Sequence, residues 1–369
     1  MIRVLHVLKG MNRGGIENFL MNVYRSIDRN AVQFDFLVHQ VEKGVFDEEI
    51  VLLGGKIFRV PGRREGVLKN KKNLHNFFFE HREYGVVHQH VSSLSYIEPL
   101  KLAEKNQVKT RILHCHSTMQ GGSFVHRYLH SHNKEVFLKY VTHTFTCSHD
   151  AARWVFGEQR VLEAAYKVLR YGIETSKFTF SSEARYNIRK SLGIEKNLVI
   201  GHLGRFTYPK NHLYLIEVFQ LIHKRREDAV LLLIGDGELR KEIERRVVEL
   251  GLKRNVIFAG SVPDPAPYLS SMDVFVFPSH YEGFPISMIE AQASGLPCVV
   301  SNEVTSEARI TENVYYLSLD SPTQVWCDLI EKVSSVIERR SAYARFVKEA
   351  GFDVQHTSKW LEEFYLHES

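Results

Sequence analysis

Two carboxylates eight positions apart, Glu282 and Glu290, stand in the stretch HYEGFPISMIEAQASGLPCVVS at 280–301. Were the turns between them fully helical, the rise from one to the other would be roughly 12 Å. A retaining glycosidase pair needs roughly 5–5.5 Å between its carboxyl groups. The longer span suits two hands on the ends of one extended ligand. Gly283, Phe284 and Pro285 open the helix, and the backbone N–H groups of Phe284, Ile286 and Ser287 at its start are an expected phosphate site. A second set of groups lies in GHLGRFTYPKNH, 201–212, where Arg205 and Lys210 flank one loop with no acid between them. Arg offers a planar fork to phosphate oxygens and Lys a point charge. Together they can balance a departing pyrophosphate. A third is KGMNRGGIE, where Gly14 and Gly15 strip the side chains from a strand–helix turn. That pair reads equally as a tight turn or as a place for close ligand approach. It is neither G-x-G-x-x-G nor a P-loop, so dinucleotide and P-loop nucleotide binding are weak readings.

These residues need strands that end, and helices that begin, at one edge. The chain supplies them in two series. In the first half, strands are expected near 2–8, 34–39, 56–60, 85–89, 111–115 and 143–147, with helices such as 16–28 and 94–106 between them. Ser148 is an expected N-cap for a helix at 149–156. The pattern restarts with LVIGHLGRF (198–206), AVLLLIGDG (229–237), VIFAGSV (256–262), DVFVFPS (273–279) and PCVVS (297–301). These runs are continuously apolar, as strands buried on both faces must be. Helical stretches at 212–224, 237–250 and 286–294 separate them. The expected fold class is therefore α/β, with two doubly wound Rossmann-like domains facing across a cleft. The first spans 1–170 and the second, the nucleotide-sugar side, 171–351. The polar segment 171–185 is read as the linker. Trp360, Leu361, Phe364 and Tyr365 form the apolar stripe of a terminal helix within 352–369.

Length and composition agree. The chain has 369 residues, 44% hydrophobic and 25% charged, which suits two folded domains and excludes disorder. Four scattered cysteines with no CxxC pair exclude a disulfide framework and a cysteine zinc site, and fit a reducing, cytoplasmic compartment. The opening MIRVLHVLKG reads as a buried first strand, not a secretory signal, and no stretch has transmembrane length. A net charge of +5 suits anionic small molecules or an anionic membrane surface and is too weak to argue for nucleic acid. Nineteen histidines are scattered with no HExxH motif, so no metal site is expected. The segment 61–82 mixes Arg63, Arg64, Lys69, Lys71 and Lys72 with Phe77, Phe78 and Phe79. It reads evenly as a basic face for an anionic membrane or as a core helix with a solvated side.

The stretch EGFPxxxxEAxAxGLP resembles the family 4 retaining glycosyltransferases of GT-B fold, whose signature is Glu, seven residues, Glu. Glu282 and Glu290 match it, Arg205 and Lys210 match the family's G-R-x4-K loop, and Gly14 and Gly15 match its Gly-Gly turn. HCHS (114–117) resembles its His-containing loop. The likeness is to transferases of bacterial exopolysaccharide or capsule repeat units. One departure is the linker, where Tyr171-Gly172-Ile173-Glu174 stands for Asn-Gly-Ile-Asp, so no contact of that Asn passes to Tyr171.

The resemblance implies roles. Arg205 and Lys210 stabilise the leaving diphosphate, Glu290 binds the ribose hydroxyls, and Glu282 holds the donor sugar near its reacting carbon. The backbone around Val262 brackets the base. His116 lies near donor or acceptor, although a lone histidine is equally a satisfied core residue. No Asp-x-Asp occurs in the chain, so a divalent ion bridging the diphosphate is not expected and charge stabilisation falls to Arg, Lys and helix dipoles. The expected activity is transfer of a hexose from a nucleotide diphosphate sugar, UDP first, to a saccharide or lipid-linked saccharide. No cofactor is expected beyond that substrate. A same-fold nucleotide-sugar epimerase, a phosphorylase and a non-enzymatic sugar binder are the rivals. The intact Glu282, Glu290, Arg205 and Lys210 disfavour them.

Overall fold

The structure is a computed structural model and describes residues 1–12, 14–118, 123–162, 166–335 and 339–369. It divides into two compact units, Met1–Gly172 with Val354–Ser369, and Ile173–Asp353.

The first unit is built on β1 (Ile2–Leu8), β2 (Val32–Val38), β3 (Ile57–Arg59), β4 (Val86–Val91), β5 (Thr110–Cys115), β6 (His143–Thr146) and β7 (Lys167–Val168). They form one parallel sheet in the order β3-β2-β1-β4-β5-β6-β7. Every residue of β2 and β4 is buried, the polar Gln33, Asp35, His88, Gln89 and His90 among them. The second unit holds β8 (Leu198–Leu203), β9 (Ala229–Ile234), β10 (Val256–Gly260), β11 (Val274–Phe277), β12 (Cys298–Ser301) and β13 (Val314–Leu317). Its sheet is again parallel, in the order β10-β9-β8-β11-β12-β13. In each unit the order reverses beside the first strand, β1 or β8, which opens the crevice at the strand C-termini where ligands of such sheets bind.

Several segments differ from the sequence reading. Residues 171–185 are not a plain polar linker. Tyr171, Ile173 and Phe178 are buried, and from Ser182 the chain is already helical, through Leu192. Charge pairing explains this: Arg185 and Arg189 reach Asp273 at 2.5 and 2.7 Å, and Asp273 also accepts from the Val199 N–H at 2.8 Å. Arg185 at the end of the stretch and Arg189 beyond it satisfy a buried carboxylate. The basic segment is a helix over Val67–Glu80 with Leu74, Phe77 and Phe78 in the core. Of its three phenylalanines only Phe79 faces solvent, with Arg82 over its ring at 5.0 Å. Helices Phe124–Val136 and Thr323–Ser334 and strand β13 lie outside the elements expected from the sequence.

The terminal helix, Val354–Glu368, belongs to the first unit. Leu361 and Tyr365 are buried in it, Trp360 and Phe364 pack on Phe145, and the Tyr365 hydroxyl meets His88 Nδ1 at 2.7 Å. The Ser148 cap is present, its hydroxyl accepting from the Ala151 N–H at 3.1 Å. All four cysteines are buried free thiols. Among the described residues no helix is long and apolar enough to cross a membrane.

Candidate functional site

The centre of the second unit's site is a junction of two loops. After β8 the chain turns through Gly204 and Arg205, makes one 3-10 turn at Tyr208–Lys210, and enters the helix His212–Arg225 through Asn211 in the left-handed region at φ 53°. After β11 it turns through Ser279–Pro285 and enters the helix Ile286–Ala293. Three contacts tie these loops together. The His280 N–H donates to Pro209 O at 2.8 Å, the rings of Tyr208 and His280 stack at 4.7 Å, and Lys210 Nζ donates to Glu282 Oε1 at 2.7 Å. Lys210 also lies over the Phe277 ring at 4.4 Å. Side-chain exposures of 16% and 12% leave the Lys210–Glu282 pair only a narrow opening to solvent, so its geometry is fixed by packing. Gly204 matters for this packing, since a Cβ there would come within 3.2 Å of Lys210 Cδ and Cε.

No acid lies between Arg205 and Lys210 in their own loop, and the acid beside Lys210 comes from the other loop, 72 positions on. The pair is a donor and an acceptor side by side: an ammonium with donor capacity left for phosphate oxygens, and a carboxylate with lone pairs left for hydroxyls. Arg205, in the same loop, is exposed.

The helix at Ile286 begins as a polar socket that is partly filled. Pro285 O accepts from Met288 and Ile289 at 3.0 and 3.3 Å, and the Ile286 N–H donates to Phe284 O at 3.1 Å. The Ile286 donor is therefore spent in the turn and not held open for phosphate. Gly283 is half-buried, while Phe284 is buried and stacks on Phe352 at 5.5 Å, which anchors the loop.

Glu290 sits one turn further along this helix, partly exposed yet deep among protein atoms. Burial pushes its carboxyl up to about 8, with Lys177 opposing the rise and Asp264 adding to it. Lys177 and Asp264 are themselves 3.4 Å apart. Asp264 Oδ1 accepts from the Ala266 N–H at 3.1 Å and so fixes the loop after β10 that carries half-buried Val262. Lys177 and Asp264 were not singled out from sequence. Lys177 lay in the segment read as linker, and nothing in its spacing linked it to Glu290.

In the first unit Gly14 caps the helix Gly15–Ser26 in extended backbone, φ −145°, which any residue adopts. Glycine is thus not demanded there by the turn itself, and what it provides is a bare surface at a helix start. His116 follows β5 and is buried. Its Nε2 meets His90 Nδ1 at 2.9 Å and its Nδ1 bonds the Tyr171 hydroxyl. Tyr171 also stacks on Phe19 at 4.5 Å, so the residue that departs from the family's Asn has a packing and hydrogen-bonding role of its own. Burial holds the His116 imidazole well below its usual range, and His90 adds to this. With both nitrogens engaged and the ring neutral, His116 takes up a substrate proton only by giving up one of these bonds.

A parallel two-unit α/β chain with such strand-end loops defines a glycosyltransferase of GT-B fold. Residues 184–351 match the family model described as glycosyl transferases group 1. A Bacillus subtilis (strain 168) protein designated glycosyltransferase EpsF is 34% identical over 369 residues, covering 98% of this chain and 96% of that one. The capsular polysaccharide biosynthesis glycosyltransferase CapH of Staphylococcus aureus is 26% identical, with 99% of each chain covered. The chain belongs to the group 1 glycosyltransferases. Among solved structures, Anabaena HepE in complex with UDP-glucose superposes with a TM-score of 0.74 at 17% identity, over 99% of both chains, and shows the fold alone.

Proposed function

We propose that the chain is a retaining hexosyltransferase, moving a sugar from a UDP-sugar to a saccharide or lipid-linked saccharide in exopolysaccharide or capsule assembly on the cytoplasmic side. The observation that carries this is the Lys210–Glu282 pair, a phosphate-binding cation and a hydroxyl-binding carboxylate 2.7 Å apart in one packed junction. In this reading Arg205 and Lys210 take up the charge that grows on the leaving diphosphate, where preorganised donors are worth most. Glu282 holds the sugar beside them. Glu290 takes the ribose hydroxyls, the loop at Val262 borders the base, and Gly283, Phe284, Pro285 and Ile286 shape the turn around the phosphates. In the first unit Gly14 and Gly15 are proposed to offer bare backbone to a ligand at a helix start, and His116 is a buried residue of that unit. HepE's complex with UDP-glucose and CapH's designation are the supports for donor and pathway. The test is a panel of UDP-sugars with product anomers assigned by NMR. An inverted anomeric configuration, or no transfer from any UDP-sugar, overturns the reading.

With no Asp-x-Asp in the chain, diphosphate departure is proposed to need no bridging ion. Turnover is expected to be unchanged by added Mg²⁺ or Mn²⁺. Loss on chelation that either ion restores would sink this point.

Membrane contact is proposed at the helix Val67–Glu80. Val67, Leu68 and Phe79 are 62%, 83% and 59% exposed beside exposed Lys69 and Lys72, a combination that sits well at an anionic surface. Lys71 is partly drawn away by Glu98 at 3.4 Å. Changing Lys69, Lys71 and Lys72 to Glu is expected to release the protein from phosphatidylglycerol vesicles while donor affinity holds. Equal sedimentation of both proteins would mean the face is merely solvated.

A further inference from the structure

Five histidines that look scattered in sequence meet on one face of the first unit's sheet. His6 comes from β1, His88 and His90 from β4, His114 from β5, and His116 directly follows β5. The motifs His88-Gln89-His90 and His114-Cys115-His116 have the period of a strand, so both histidines of each project to the same side. Parallel pairing sets His90 beside His114, and the His116 N–H donates to Val91 O at 2.9 Å to continue the register. Cys115, between two histidines, points to the other face and joins the apolar core there.

Such a cluster is costly unless something satisfies it. Neither ring nitrogen of His114, a residue with no exposed surface, has a hydrogen-bond partner, and His6 Nε2 and His88 Nε2 are also unpartnered. Buried polar atoms left so in a native protein point to an unseen water or ion. The rest of the geometry favours an ion. One atom each from His90, His114 and His116 lies within 4.8 Å of the others. His90 Nδ1 and His116 Nε2 already face each other at 2.9 Å. Two nitrogens bound tetrahedrally at about 2.1 Å from a metal stand about 3.4 Å apart, so small ring rotations open the gap. The far nitrogens are held as ligating histidines require: His90 Nε2 meets His6 Nδ1 at 3.0 Å, and His116 Nδ1 meets the Tyr171 hydroxyl.

We propose that His90, His114 and His116 form a transition-metal site in the first unit, oriented by His6 and Tyr171 and taking one divalent ion of the Zn²⁺ class. Three imidazoles without thiolate or carboxylate suit Zn²⁺, Co²⁺, Ni²⁺ or Cu²⁺ and not Mg²⁺ or Ca²⁺. A water or hydroxide completes the tetrahedron, and hydroxide halves the charge left in the low-dielectric interior. The site is separate in role from the diphosphate residues, all of which lie in the second unit. Its ligands join β4 to the end of β5.

The test uses the untagged full-length chain, stripped with a chelator and titrated with Co²⁺. The expected result is one equivalent bound with the visible bands of tetrahedral Co²⁺, displaced by Zn²⁺, and a raised melting temperature in the Zn²⁺ form. His114→Phe is expected to abolish the bands while retaining the far-ultraviolet dichroism of the parent. Zinc-edge X-ray absorption on the unaltered protein counts ligands independently of whether the variant folds. Three imidazoles at about 2.0–2.1 Å support the site. Binding through one or two imidazoles and several oxygens, bands that persist in folded His114→Phe, or a flat titration overturns it and leaves a hydrogen-bonded histidine ladder.

Discussion

Replacing Lys210 with Ala is expected to lower kcat by about 10²–10³, the usual cost of losing one preorganised charge-stabilising donor. Two effects combine. The ammonium that meets the leaving diphosphate is gone, and Glu282, held 2.7 Å from it, becomes an uncompensated carboxylate facing that same diphosphate. Because charge grows on the phosphate oxygens as the glycosidic bond breaks, the loss falls mainly on kcat and less on KM. The pair also predicts non-additivity. Glu282→Gln in the Lys210→Ala background removes the repelling charge, so the double variant should be less impaired than the product of the two single effects. Arg205→Ala should lose turnover of similar order. Steady-state kinetics on the four proteins decides. A fall of less than tenfold for Lys210→Ala, or strictly additive effects with Glu282, would remove Lys210 from the diphosphate site.

The two-unit α/β architecture was legible because both sheets are parallel and buried, and buried parallel strands leave continuous apolar runs. The loops carrying Arg205, Lys210, Glu282 and Glu290 were legible for a related reason, since they follow β8 and β11, whose runs end abruptly in Gly, Ser or Pro. Their mutual contact was not. Nothing local to Lys210 announces an acid 72 residues on, and an ion pair set by sheet order appears only once β8 and β11 are neighbours. The same limit hid Lys177 and Asp264 beside Glu290. The histidines failed differently. Their signal, two His-x-His motifs, was present, but helical metal spacings were sought where the histidines lie on strands, and strand period is two. Segment 171–185 was legible as a polar stretch, and the boundary between the two units falls within it, after Gly172, whereas the pairing of Arg185 with an acid 88 positions on was not.

Nucleotide affinity is expected to depend on pH through Glu290, with stability moving in the opposite direction. Burial raises this carboxyl to about 8 in the free protein, so at neutral pH it is mostly protonated. Two ribose hydroxyls are best met by an ionised carboxylate, which accepts from both. Binding must then expel the proton below about pH 8, and affinity for UDP falls about tenfold per pH unit there. The diphosphate's own titration, with a second pKa near ~6, contributes little above pH 7. Calorimetry in buffers of different ionisation enthalpy should therefore register close to one proton released at pH 7 and almost none at pH 9. Folding carries the reverse sign. The unfolded carboxyl ionises near ~4.3 and the folded one near 8, so between these values the folded state binds more protons and loses stability as pH rises. Glu290→Gln abolishes both dependences at once. The variant should bind UDP weakly and without a pH slope between 7 and 9. It should also melt higher than the parent at pH 8, with the difference shrinking toward pH 4.5. That is the trade expected where a buried acid is kept for a ligand at the expense of the fold. Equal UDP affinity at pH 7 and pH 9 in the parent, or a Glu290→Gln variant that binds as tightly as the parent at pH 9, would show that Glu290 does not contact the nucleotide.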